Sequence, residues 1–240
     1  MHHSGTHLPK GGTVVADRFA QAVREQLRLG RLLPLGGPED GAWLTERAAD
    51  AVLRRAADAV PGVRLGALRI ALADPEAAAP PSVPAPPSAL PPGPLRAWAE
   101  CAATADLPLP VAADRLRDAL LGAATDRLGL AVGAVDVRVT DVLDEVPQHV
   151  VPEDQAPPAE RPGDGSGIAA AVTAVPGVAR LAPVLGRGAV RVEGTHVRIE
   201  LAVAPGHRAL DVARAVRAAV AATAPPPATV AVLVTAVDTP

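Results

Sequence analysis

The second half of this chain repeats the order of elements found in the first half. The run AVPGVRLGAL from Ala59 recurs as AVPGVARLAP from Ala174, and VDVRVTDVLD from Val135 recurs as VAVLVTAVDT from Val230. Hydrophobic periodicity between these runs predicts the order helix, strand, strand, helix, strand in both halves. The repeat therefore favours an architecture of two units with the same topology, joined in tandem.

The first unit spans 41–144, and its elements follow from capping residues and periodicity. Thr45 can cap a helix that Pro61 and Gly62 end, and alternation of apolar and polar residues marks the strands. The predicted elements are a short strand 42–44, a helix 46–60, strands 65–73 and 95–103, a helix 111–128 and a strand 135–142. This strand-helix-strand-strand-helix-strand order can wind as a ferredoxin-like sheet with both helices on one face.

The second unit spans 167–240 and lacks a clear leading strand. Its predicted elements after the shared turn are strands 189–192 and 197–203, a helix 209–222 and a strand from Val230. Ala218 to Val237 is a run of twenty residues without a charge, but the central prolines 225–227 are incompatible with a membrane-spanning helix. We therefore expect an α+β fold of two tandem two-layer α/β units, with no direct membrane span.

Other segments are predicted to lie outside the packed units. Residues 1–16 are expected to be disordered, and 17–40 to form a helix followed by a turn. An acidic, Pro-rich linker is predicted at 145–166. Nine prolines among the twenty-one residues of 74–94 predict a surface loop over 75–94 that joins neither sheet nor helix and is dispensable for stability.

Charge and cysteine content narrow the range of functions. The formal net charge is −3 and the pI is near 6.1, with basic residues interleaved among acidic ones, which argues against a nucleic-acid partner. Cys101 is the single cysteine, so it cannot form an intramolecular disulfide and is expected to be a small buried apolar residue. The amino terminus lacks the apolar stretch of a secretory signal, so the cytoplasm is the expected location.

Motifs for catalysis, cofactors and metals are missing or lie in the wrong context. The sequence contains no Gly-Lys-Ser/Thr of a P-loop. His2, His3 and His7 lie in the terminal segment without a carboxylate or thiolate nearby, so they do not form a convincing metal site. We therefore predict no catalytic residue, no cofactor, no metal and no enzymatic activity.

Two strands carry the candidate interface residues. Along 95–103, small apolar residues alternate with Arg96, Trp98 and Glu100. The small row suits the side that packs on helices, so Trp98 is expected to project outward as an aromatic anchor. Asp136 and Arg138 share the face of their strand opposite to the valines, as expected for a half-exposed sheet. These five residues form the predicted contact surface.

The opening and closing runs of the repeat resemble the alkaline shock protein family of small bacterial proteins. The run GAWLTERAADAVLRRAADAVPGV, from Gly41 to Val63, resembles the family's opening, and VDVRVTDV and VAVLVTAV resemble its closing strand. The resemblance covers 41–144 and 167–238, apart from the Pro-rich insertion and the missing second leading strand. It implies a cytoplasmic protein that acts through protein contacts, sometimes in envelope stress, without catalytic residues. The sequence also resembles chains that carry a nucleopolyhedrovirus P-ten family name, a resemblance to which we attach no functional weight.

Together these features favour a non-catalytic protein-interaction or scaffold protein that self-associates or docks on a protein partner through an open sheet face. The alternative is an enzyme or small-ligand-binding protein with a site between the two units. Polar groups that converge between the units would favour the ligand site, whereas a seam lined by Ala and Val would favour the scaffold.

Overall fold

The computed structural model describes residues 30–144, 166–185, 188–223 and 229–238. Its strands and α-helices are β1 Leu32–Pro34, β2 Ala42–Thr45, α1 Glu46–Asp58, β3 Val63–Leu72, β4 Leu95–Thr104, α2 Leu109–Gly122, β5 Val132–Leu143, α3 Ser166–Thr173, β6 Val178–Leu181, β7 Val190–Glu193, β8 His196–Val203, α4 Ala209–Ala221 and β9 Thr229–Val237. A 3₁₀ turn covers Pro38–Asp40, and a π-helical turn over Ala123–Leu128 extends α2. The predicted disordered terminus 1–16, the predicted helix in 17–29 and most of the predicted linker lie outside the described residues. The predicted turn before residue 41 is in part a strand, because the apolar residues of β1 are buried in pairing with β2.

The strands form two sheets, which makes this a mixed fold compatible with the predicted α+β class. The small sheet has the order β3-β4-β5. The large sheet has the order β1-β2-β9-β8-β6, with β7 also paired to β8. In the small sheet β4 is antiparallel to β3 and parallel to β5, and in the large sheet β8 is antiparallel to β6 and parallel to β9.

The leading strand of the first half lies in the large sheet, which differs from the predicted ferredoxin-like unit. β2 pairs in parallel with β9, with Ala42 opposite Val232 and Leu44 opposite Val234. β2 pairs with β9 because β9 is apolar on both faces. Its residues 230–234 are all buried, as expected for an interior strand that is covered on both faces. β5 instead alternates with polar residues and suits a sheet margin. The small sheet is left with three strands among the described residues.

One apolar core connects both sheets and the four α-helices. α1 is central to it, because it packs against β3 of the small sheet and β9 of the large sheet. The helix begins at a buried threonine, since Thr45 Oγ1 accepts a hydrogen bond from the Ala48 N–H at 3.2 Å. The same hydroxyl donates to the Thr235 carbonyl oxygen at 3.2 Å. Thr45 therefore joins the helix start to β9.

The Pro-rich segment 75–94 covers the outer face of the large sheet. Val83 is only 6 % exposed and belongs to a cluster with Leu32, Trp43, Ala231 and Leu233. The Leu90 N–H donates to the Leu32 carbonyl oxygen at 2.8 Å, and Ala89 forms a parallel bridge with Leu32. The segment contributes no strand to either sheet, but it packs more closely than a surface loop, because the residues between the prolines supply hydrogen-bond donors and apolar side chains.

Candidate interaction face of the small sheet

The two rows of β4 lie on opposite sides of the small sheet. Leu95, Ala97, Ala99 and Cys101 are buried toward the helices, whereas Arg96, Trp98 and Glu100 are exposed. Asp136 and Arg138 of β5 lie on the exposed side beside them, with Asp136 in register with Trp98 and Arg138 in register with Glu100. All five sequence-predicted residues therefore lie on one surface, which we call the Trp98 face.

Trp98 lies at the centre of this face and is 42 % exposed. It stands in register between Arg69 of β3 and Asp136 of β5. The Arg96 guanidinium lies 5.7 Å from the centroid of the Trp98 ring, within the range of a cation–π contact. The indole is thus flanked by cations on two sides and a carboxylate on the third.

Arg96 is held by a two-point contact with Asp136. Arg96 Nε donates to Asp136 Oδ2 at 2.5 Å, and its NH2 group donates to Oδ1 at 3.0 Å. The hydrogen bond from Arg96 holds the pKa of Asp136 below its ordinary value, and the same bond raises the pKa of Arg96. Both groups are therefore charged at neutral pH. The pair fixes the orientation of the guanidinium against Trp98.

Arg138 differs from Arg96 in having no ion pair or hydrogen bond from its side chain to any described residue. It lies on the exposed margin of β5, opposite Glu100 of β4 in register but not bonded to it. These five residues thus include one closed charge pair and, at Arg138, a guanidinium without a bonded partner among the residues that the structure describes.

Sequence reasoning missed Arg69, which also lies on this face. Strict alternation from Leu65 would direct position 69 toward the helices. The register of β3 against β4 shifts between Leu65 and Leu68, so the extra residue reverses the phase and Arg69 becomes exposed. Gly66, at the shift, was the available signal in the sequence.

The chemistry of the Trp98 face suits a protein surface. Its aromatic centre is surrounded by arginines and by the carboxylates Glu100 and Asp136. Carboxylates beside the aromatic ring would repel a phosphate backbone, and recognition of single-stranded RNA usually uses several stacked aromatics rather than one. Mixed charges around an exposed tryptophan are typical of a protein-binding hot spot.

A cavity of about 210 Å³ lies between elements of the two halves. It is lined by Val52, Asp126, Arg127, Gly206, His207, Arg208, Val237 and Asp238. Some of these charges are committed elsewhere, since Asp238 pairs with Arg180 at 2.5 Å and Arg208 Nε donates to the Thr125 carbonyl oxygen at 2.9 Å. The volume is below the usual range of small-molecule pockets.

The other singled-out side chains are distributed without a common site. Cys101 is 1 % exposed, as expected for a small core residue, and burial raises the pKa of its thiol. His196 Nδ1 lies 2.8 Å from Thr229 Oγ1, where β8 and β9 begin side by side in the large sheet. Among the residues that the structure describes, no group of three or more His, Cys, Asp or Glu side chains is arranged to hold a metal ion.

None of the helices in the described part of the chain combines the length and apolar composition needed to cross a membrane. Comparison of the chain with protein-family models, curated proteins and solved structures finds no match.

Proposed function

We propose that this protein is a non-catalytic interaction or scaffold protein that docks a protein partner on the Trp98 face. The observation that carries the proposal is the exposed indole of Trp98 at the centre of a face where Arg96 and Asp136 are already paired. A binding surface whose charged groups are ordered in advance loses less conformational entropy on association. The role is that of a preformed hot spot.

The contrast between the two tryptophans supports this proposal. Trp43, on the outer side of the large sheet, is 1 % exposed because the Pro-rich segment packs over it. No described segment covers Trp98 in the same way. The chain thus covers the tryptophan of the large sheet with its own residues, whereas the tryptophan of the small sheet stays accessible to a partner.

We further propose that 41–144 and 167–240 are copies of one unit. Equivalent positions make equivalent hydrogen bonds, which supports the duplication. Thr140 Oγ1 donates to the Cys101 carbonyl oxygen and Thr235 Oγ1 to that of Leu201, both at 3.2 Å. Arg117 Nε donates to the Val135 carbonyl oxygen at 3.1 Å and Arg217 Nε to that of Val230 at 3.0 Å.

The duplicated pattern also supports the proposed relationship to the alkaline shock protein family. Under that proposal the protein acts in the bacterial cytoplasm through protein contacts, in envelope or stress responses. This extends the interaction role without adding any catalytic residue.

The test compares capture of partners by the full chain and by two variants. Trp98→Ala removes the proposed anchor, and Val192→Ala is the matched control, because Val192 is 55 % exposed on β7 of the other sheet. Each tagged chain is incubated with native cell extract, and captured proteins are quantified by mass spectrometry. We expect a protein retained by wild type and by Val192→Ala to be lost from Trp98→Ala, and the purified pair to reproduce that difference.

The free energy of unfolding of each chain is measured as well. The full chain is used because α1 packs on both sheets, so the two halves share one core. Val192→Ala should change the free energy of unfolding by only about 0.5 kcal/mol. Trp98→Ala should cost about 2 kcal/mol and leave the chain folded, because more than half of the surface of Trp98 is covered in the sheet. Equal capture by all three chains, or global unfolding of Trp98→Ala, would refute the docking role of the face.

A second candidate function rests on the cavity between the halves. Asp126, Arg127 and His207 converge there from both halves of the chain, the arrangement expected of a ligand site between the units. Groups of both charge signs suit a small zwitterion, so free amino acids are the first probes. A rise in melting temperature on addition of an amino acid, abolished by His207→Ala, would support this function. If no amino acid raises the melting temperature, this candidate function is excluded.

A further inference from the structure

The outer margin of β5 is an unpaired strand edge in the described part of the chain. β5 is twelve residues long and pairs with β4 on one side only. The corresponding margin of β9 is occupied, because β2 lies along it and the Val232 N–H donates to the Gly41 carbonyl oxygen at 3.0 Å. The same kind of strand is therefore paired in one sheet and open in the other.

The valines of β5 and β9 differ in burial, as expected if the margin of β9 is covered and that of β5 is open. Val232 and Val234 of β9 are fully buried, whereas their counterparts Val137 and Val139 in β5 are half-buried. Val142, farther along β5, is 54 % exposed. An edge with this much uncovered apolar surface is a template for another strand.

The backbone groups of β5 have a definite orientation at this edge. The Val135 carbonyl oxygen accepts from Arg117 Nε, as the Val230 carbonyl oxygen of β9 accepts from Arg217 Nε. In β9 the N–H of Val232, the counterpart of Val137, points away from β8 to Gly41 of β2. By this correspondence, Val135 directs its hydrogen-bonding groups away from β4. Because strand geometry has a period of two residues, Val137 and Val139 present their N–H and C=O groups on the same side. A carbonyl oxygen has two lone pairs, so the bond from Arg117 leaves Val135 able to accept another.

We propose that two copies of this chain join through β5, antiparallel and centred on Val137, to form a continuous six-stranded sheet. In this register Val135 of one copy faces Val139 of the other, and Val132 faces Val142. Asp136 of each copy then lies opposite Arg138 of the other. Arg138, whose guanidinium has no partner among the described residues, gains a carboxylate on each side of the two-fold axis.

Charge selects this register over its neighbours. Centring the pair on Arg138 would place two arginines opposite each other, and centring it on Asp136 would oppose two aspartates. Both alternatives keep the valines facing inward, so the apolar row alone does not distinguish them. Only the arrangement around Val137 matches opposite charges throughout, which identifies a second copy of the chain as the occupant. The inference goes beyond the proposed function, because it concerns strand pairing at the edge of the sheet, where Asp136 and Arg138 form the outer margin of the Trp98 face.

The experiment uses charge exchange in the full chain, with sedimentation velocity as the readout. Asp136→Lys gives a chain with two cations at the edge, and Arg138→Asp gives a chain with two carboxylates. We expect wild type to be dimeric, each variant alone to be monomeric with a dissociation constant raised at least tenfold, and an equimolar mixture to dimerise again. A monomeric wild type, dimeric single variants or a mixture that stays monomeric would overturn the proposal.

Two further variants are controls. One distinguishes loss of dimerisation from loss of folding, and the other distinguishes dimerisation from docking on the Trp98 face. Val137→Pro removes an N–H that points away from β4, a position where an edge strand tolerates proline. It should abolish dimerisation while circular dichroism remains native, and a dimer that persists in this variant contradicts the proposal. Trp98→Ala should remain dimeric even if it loses its captured partner, so failure of one proposal leaves the other measurable.

Discussion

The indole N–H of Trp43 donates to the carbonyl oxygen of Leu90 at 3.3 Å. This bond joins β2 of the large sheet to the Pro-rich segment that covers it. The Leu32 N–H donates to the Ser88 carbonyl oxygen at 3.3 Å beside it. The segment is thus attached through both backbone and side-chain groups, and its contribution to stability can be measured.

Shortening the Pro-rich segment should destabilise the protein. Replacing 79–91 with a short Gly/Ser turn exposes the apolar cluster around Trp43, and we expect a loss of about 3 kcal/mol or more in the free energy of unfolding. Val83→Ala alone should cost about 1.5 kcal/mol, since two buried methyl groups are removed. Val192→Ala, at an exposed valine, is the control for chemical denaturation. An unchanged denaturation midpoint in the shortened chain would mean that the packing contributes nothing.

The two threonines of the closing strands should differ in their importance. Thr235 Oγ1 lies within hydrogen-bond distance of the carbonyl oxygens of Ala182 and Leu201, at 3.1 and 3.2 Å, whereas Thr140 Oγ1 reaches only Cys101. Thr235 is also the less exposed of the two. We expect Thr235→Val to cost about 1 kcal/mol and Thr140→Val less than half of that. Urea denaturation of both variants checks the order, which equal losses would contradict.

Asp40 should make the stability depend on pH. Burial opposes its ionisation, but hydrogen bonds from Arg214 and the Gly37 N–H outweigh that effect, and the pKa of Asp40 is lowered. A carboxyl group with a lowered folded-state pKa stabilises the protein above its unfolded-state pKa, and this contribution disappears as the pH falls through the folded-state pKa. Asp40→Asn should therefore lower the melting temperature at pH 7, and the difference from wild type should shrink as the pH falls below the ordinary pKa of an aspartate.

The Asp40 measurement has an internal control. Arg214 Nε donates to Asp40 Oδ1 at 2.7 Å, so Arg214→Gln should reduce the same pH dependence. Because the arginine side chain is half exposed, we expect an effect on the order of 1 kcal/mol or less. A gap between wild type and Asp40→Asn that is the same at pH 3 and pH 7 would exclude the ion pair as its source.

Cys101 should be unreactive in the folded protein. Its side chain is 1 % exposed, and burial raises the pKa of the thiol, which reduces the thiolate fraction at neutral pH. A chromogenic disulfide reagent should therefore modify it only at the rate of unfolding, and quickly in denaturant. Rapid modification of the native chain would show that the core opens locally at β4.

Local patterns in the sequence were enough to predict the exposed side of β4 and β5. Alternation of Ala97 and Ala99 with Trp98 distinguishes the two faces, and the structure has the aromatic row outward. Arg69 was not assigned to the same face, because a one-residue shift in β3 reverses the alternation. Hydrophobic alternation therefore predicts which side chains share a face only up to the next β-bulge in the strand.

Long-range pairing was beyond the reach of the same patterns. β2 is followed directly by α1, and its pairing with β9 depends on the continuous apolar character of a strand in the other half. The packing of the Pro-rich segment on the large sheet was missed for a different reason. Its prolines exclude a regular ladder, but its packing depends on Val83 and Leu90, two residues that a count of prolines does not consider.

The bond between Thr45 and Thr235 spans 190 residues of sequence. On the ribosome, β2 emerges long before the strand that it must join. At ordinary rates of translation, that interval is roughly 10 to 40 s. Throughout it, β1 and β2 remain without a partner from β9, and their leucines and tryptophan are accessible to chaperones. Because of this order of synthesis, the amino-terminal half cannot complete its folding alone. The larger sheet forms only after β9 has been translated.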